Sequence, residues 1–118
     1  MKAILKSIDM NGLVGFDDFQ PEDEKDFGVW LTVQVGPDDQ DGGHLFQIFI
    51  CTPNWLKKEC LSLGAVWGRH MLIVCEYDRG LIVKSISKYI ESCTGDDFWG
   101  GAQKISRIGA WEFEDYQP

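Results

Sequence analysis

Val29-Trp30-Leu31-Thr32-Val33-Gln34-Val35, Gly36-Pro37-Asp38-Asp39-Gln40-Asp41-Gly42-Gly43 and His44-Leu45-Phe46-Gln47-Ile48-Phe49-Ile50-Cys51 are the stretches that decide the fold. In the first, Val29, Leu31, Val33 and Val35 alternate with Trp30, Thr32 and Gln34, the period of two that a strand requires. The third sets Phe46, Ile48 and Ile50 against Leu45, Gln47, Phe49 and Cys51. Between them lies turn chemistry from end to end. Together they read as an antiparallel hairpin with a long acidic tip.

Upstream of the hairpin, residues 2–8 suit a first strand. The segment from Asp9 to Asp26 then reads as a long acidic loop, with a helical turn around Phe16-Asp17-Asp18-Phe19. A loop of that length inside a small domain is uncommon and points to function. Downstream, Thr52-Pro53 opens a helix, with Thr52 as N-cap and Pro53 at the first helical position. Its expected inward residues are Trp55, Leu56 and Cys60, and Gly64 is the expected stop. Met71 to Cys75 is a near-continuous apolar run, predicting a strand buried on both faces. Asp78 caps the longest helix, with Leu81, Ile82, Ser85, Ile86, Tyr89, Ile90 and Cys93 on its apolar stripe. A third helix is expected to begin at Asp96-Asp97, carboxylates at its positive end, and to run through Ile108 to Gly109. Ala110 to Tyr116 alternates as a last strand.

Strands and helices group rather than alternate, which gives an α+β class. The expected architecture is a single domain over residues 1–118, a mostly antiparallel sheet of about five strands with two to three helices packed on one face. The chain's 118 residues suit one core, and 44% hydrophobic residues with five tryptophans supply it. No apolar stretch is long enough for a signal peptide or a membrane span. Cys51, Cys60, Cys75 and Cys93 form no CxxC pair, and with His44 and His70 make no zinc spacing. They read as buried, reduced thiols of a cytoplasmic protein.

Net charge is −8. Such a surface repels nucleic acid, whose binding rests on Lys and Arg neutralising phosphates, and it repels anionic membranes likewise. The charge is uneven. Ten carboxylates and one base, Lys25, lie between Asp9 and Asp41, whereas Gly42 to Cys93 holds six bases against four acids. No nucleophile has a positioned base and orienting third group in this pattern. No phosphate-cradling glycine loop occurs either, and no cofactor is implied. A small enzyme using His70 and a carboxylate is the competing reading, and an adaptor domain a third.

What stands out is the grouping of acids beside aromatics. One group is Asp17, Asp18, Glu22, Asp23, Glu24 and Asp26, with Phe16, Phe19, Phe27 and Trp30 close by. A second is Asp38, Asp39 and Asp41 at the hairpin tip. The third is Glu112, Glu114 and Asp115, with Trp111, Phe113 and Tyr116. Acid-rich loops also serve solubility alone. Yet an aromatic anchor within a ring of one charge is how interfaces combine affinity with steered association.

Several motifs carry a resemblance. Cys51-Thr52-Pro53-Asn54-Trp55-Leu56, Gly68-Arg69-His70-Met71-Leu72-Ile73-Val74 and Arg107-Ile108-Gly109-Ala110-Trp111-Glu112-Phe113-Glu114-Asp115-Tyr116 resemble the immunity protein 8 family. Pro21-Glu22-Asp23 followed by Phe27-Gly28 fits as well. The resemblance implies a bacterial protein of polymorphic toxin or contact-dependent growth inhibition systems, encoded beside a toxin whose C-terminal domain it binds. Such toxins are commonly nucleases with basic clefts. The implied toxin-binding residues are Phe19 and the acids of the three groups. Within the motifs, Thr52 and Pro53 read as a helix start, Gly109 as a helix stop, and Trp55, Leu72, Ile73, Val74 and Trp111 as core. Glu112, Glu114 and Asp115 fit toxin contact and internal pairing with Arg69 or Arg107 equally.

Overall fold

The computed structural model describes residues 2–10, 14–93 and 98–112. Along the chain run β1 (Ala3–Met10), β2 (Gly28–Pro37), β3 (His44–Cys51), α1 (Pro53–Leu63), β4 (Met71–Ile73), α2 (Arg79–Ser92), α3 (Phe98–Ile105) and β5 (Ala110–Trp111). The class is α+β, with a five-stranded, mostly antiparallel open sheet and three helices. Sheet order is β1-β2-β3-β4, and β5 shares the outer edge of β3 with β4. The hairpin forms in the expected register, Leu31 opposite Ile48 and Val33 opposite Phe46. Its return needs Gly36, where a Cβ would lie 2.1 Å from the Gly42 carbonyl oxygen.

β1 runs two residues further than expected, through Asp9 and Met10, because it pairs antiparallel along β2 to Leu31. The pairing slips between Leu5 and Ser7, so Lys6 forms a bulge. That bulge, a charge within it and the resulting twist blunt the exposed edge.

The register sorts the sheet into two faces. One carries Leu31, Val33, Val35, Phe46, Ile48 and Ile50, all buried, and Ile82, Ile86 and Ile90 of α2 join the same cluster with Ala102 and Ile105 of α3. The other carries Trp30 opposite Phe49, Thr32 opposite Gln47 and Gln34 opposite Leu45. It is this second face that α1 reaches, through Trp55, whose ring lies 4.8 Å from that of Phe49. The helices therefore do not all share one face.

Four expectations of burial are corrected. α1 buries no residue fully, and Cys60 is exposed. The β4 run is a three-residue edge strand, not a doubly buried one: Ile73 is 53% exposed and Cys75 lies beyond it at the surface. It pairs in parallel with β3 and has no strand beyond it among the described residues, so it lies at the edge of the sheet. Leu81 is also half exposed, while Ile82, Ile86 and Ile90 take the core stripe of α2. His44, at a strand start beside a turn, reads as solvated but is half-buried. It stacks on Trp111, whose Nε1 donates to its Nδ1 at 3.0 Å.

Both helix starts follow the expected chemistry. Thr52 accepts from Trp55 N, Asp78 accepts from Leu81 N, and Pro53 opens α1. α3 runs unbroken through Gly100-Gly101 but ends at Ile105, and Gly109 N returns to Ile105 O at 3.2 Å. Its expected start at Asp96-Asp97 lies outside the described residues, as does the last strand beyond Glu112.

Candidate functional site

The acidic loop is a built object. Its aromatic side chains face inward: Phe16 and Phe27 are buried and Phe19 half-buried. Tyr77 meets both Phe19 and Phe27 edge-on at 5.5 Å, and its N–H donates to Glu24 O at 2.7 Å. The expected turn at Phe16 forms, with Asp18 N donating to Gly15 O and Phe19 N to Phe16 O. Aromatics that read as partner contacts are thus the loop's own anchors, and the carboxylates point the other way.

Two of those carboxylates already have cations. Asp17 pairs with Arg79, which also lies over the Phe16 ring at 5.2 Å. Asp26 pairs with Lys58 on α1, and that hydrogen bond pushes the lysine's pKa up. Asp23 accepts from Lys25 N within a tight turn. Asp18, Glu22, Asp23 and Glu24 are exposed.

The second acid group sits at the opposite end of the sheet. β2 spans ten residues from the loop to the hairpin tip, which at about 3.3 Å per residue separates the two by about 30 Å. The tip is tied to the start of the chain: Asp38 N donates to Lys2 O, and Lys6 Nζ donates to Gln40 O. Asp38, Asp39 and Asp41 remain exposed. Glu112 belongs to this end. Its carboxylate accepts from Leu45 N and its own N–H donates to Leu45 O, both at 3.2 Å, rather than pairing with Arg69 or Arg107. Glu114 and Asp115 lie outside the described residues.

The residues weighed for catalysis hold structural places. His70 is buried and adopts a left-handed φ of 59°. Its Nε2 lies 3.0 Å from Ser106 O, so that nitrogen carries the proton, and its own carbonyl accepts from Phe49 N at 2.8 Å. Burial pushes the thiols of Cys51 and Cys93 up, which keeps them protonated and poorly nucleophilic at neutral pH. Among the described residues no group of three or more His, Cys, Asp or Glu is arranged to hold a metal. None of their helices is long and apolar enough to cross a membrane.

Two apolar surfaces escaped the sequence reading. On the second sheet face, Trp30 is 47% and Leu45 42% exposed. At the end of α1, Leu61, Leu63 and Trp67 stand out of the surface, Trp67 at 91% exposed. No periodicity foretells that a helix is left without a partner.

The domain is thus a layered α+β unit with separated acidic ends and exposed aromatics, its histidines and buried thiols held in structural places. The chain belongs to the immunity protein 8 family, whose model matches residues 3–116. It is thus an immunity protein, with a toxin as its partner. No curated protein and no solved structure matches it.

Proposed function

We propose that this protein neutralises its cognate toxin by a tight complex, without catalysis, and that the toxin domain presents a basic surface such as a nuclease cleft. The observation that carries this reading is the set of exposed carboxylates at Asp18, Glu22, Asp23 and Glu24, held outward by a loop whose aromatics are anchored beneath. Fixed carboxylates lose little freedom on binding, and at net charge −8 they steer a basic partner inward. Asp38, Asp39, Asp41 and Glu112 add a second acidic end, and Asp17 and Asp26 contribute through exchange with Arg79 and Lys58. The complex would form in the bacterial cytoplasm, where the toxin acts, within polymorphic toxin or contact-dependent growth inhibition systems. Neither nucleic acid nor membrane is a partner in this reading.

The test is co-expression with the C-terminal domain of the toxin encoded beside it. Growth rescue together with co-purification is expected. Rescue without a complex would point instead to an enzymatic antidote. Changing Asp18, Glu22, Asp23 and Glu24 together to lysine should slow association about tenfold or more at low salt, with a smaller effect at high salt.

A further inference from the structure

The two acidic ends lie about 30 Å apart, and the second face of the sheet, which α1 touches only through Trp55 on Phe49, runs between them. That face carries Trp30 at the end near the acidic loop and Leu45 at the end near Glu112, with Thr32 and Gln47 paired between. Asp9 extends the Thr32 row at β1. Two shallow depressions touch it, one bordered by Trp30 and Gln47 and reaching Met10 and Val29 of the core face, the other lined by Thr32, Leu45, Gln47, Ala110, Trp111 and Glu112. Gln47 borders both, so the two adjoin along a shallow trough.

We propose that the toxin domain docks on this sheet face, with Trp30 as the main apolar anchor and carboxylates at both ends engaging its basic groups. The inference rests on the immunity reading and adds the surface. Size favours it. A standard interface takes about 800 Å² from each partner, more than one loop supplies. Four strands at about 4.8 Å spacing make a trough about 15 Å wide and about 30 Å long, about 450 Å² in plan, so it supplies roughly half of that area and the acidic ends must supply the rest. Composition favours it too. A half-exposed tryptophan held against Phe49 at 5.1 Å is already rigid, as an anchor must be. Charge decides between this face and the end of α1. Trp67 is more exposed, but the stretch from Lys57 to Arg69 holds three bases against one acid, Glu59, and lacks the excess of carboxylates that flanks the sheet face.

Binding of the full chain to the catalytically inactivated toxin C-terminal domain, measured by surface plasmon resonance, tests this. Trp30→Ala should weaken binding about thirty-fold or more, mainly through faster dissociation. Gln47→Lys, which sets a cation in the trough on an exposed side chain, should weaken it about tenfold. Trp67→Ala should stay within about twofold. If wild-type protein binds and both trough variants bind within about twofold of it, this face is wrong while the immunity reading stands. Should Trp30→Ala disturb folding, Gln47→Lys decides alone. Conversion of a dimer to a monomer by Trp30→Ala in light scattering would assign the face to a second copy and overturn the proposal. If wild-type protein neither binds the toxin domain nor rescues growth, the immunity reading falls and this face with it.

Discussion

Thr52 Oγ1 lies 3.1 Å from the amide nitrogen of Phe27 and 3.5 Å from that of Trp55, so one hydroxyl joins the end of the acidic loop to the first turn of α1. The backbone repeats the link, Thr52 N donating to Phe27 O at 3.1 Å. Thr52 is fully buried. Removing its oxygen orphans a buried amide as well as uncapping a helix. Thr52→Val should therefore cost about 2–3 kcal/mol, and Thr52→Ser much less. Urea unfolding of the two variants checks it.

Beside this link, Gly28 makes room for α1. A Cβ there would lie 2.7 Å from both the Trp55 and Phe49 rings. Gly28→Ala should destabilise by about 1–3 kcal/mol, the usual cost of overpacking. Because Trp55 is the contact that seats α1, near-ultraviolet circular dichroism should change more than the far-ultraviolet helix signal.

Tyr77 stiffens the acidic loop with its ring, yet its hydroxyl is buried without a hydrogen-bond partner among the described residues. Tyr77→Phe keeps both ring contacts and removes that desolvation cost. The expected result is unchanged stability or a gain of about 1 kcal/mol, read from the urea midpoint. A clear loss would mean that the hydroxyl is paired in solution.

Stability should fall in alkali. Burial raises Cys51 and Cys93 above their ordinary 9.0, and Tyr77 above its ordinary 10.0 against the opposing charge of Arg79. Each group keeps its proton more tightly when folded. Its stabilising effect is complete below the unfolded value and is lost as pH rises through the folded one. Lys58, raised by its bond to Asp26, acts in the same direction but is exposed, so its share is small. The urea midpoint should be flat to about pH 8 and decline above about pH 9. Tyr77→Phe should blunt the decline above about pH 10.

Much of this molecule is legible in its residues. Strict alternation of Val29, Leu31, Val33 and Val35 forces one face inward, and a slip of one residue would expose all four, so the hairpin register is written locally. Thr52-Pro53 and Asp78 declare helix starts because caps act within one turn. The acid groups, too, are plain in the composition. Beyond local range the residues are silent. Met71 to Cys75 has the pattern of a central strand, but only the order of strands puts it at an edge. Phe19 and Phe27 have the composition of an interface, but only Tyr77, some fifty residues on, claims them as anchors. Glu112 reads equally well as toxin contact or as an internal partner of Arg69 or Arg107 until Leu45 is beside it.

By itself, then, the sequence determined the elements, their inward faces and an excess of negative charge, since each depends on near neighbours or on simple counting. Only the tertiary structure decided that the charge lies at two ends of one sheet, that α1 is left without a core, and that the face carrying Trp30 is open. Those facts depend on which elements pack together, and packing is settled by contacts between residues far apart in the chain.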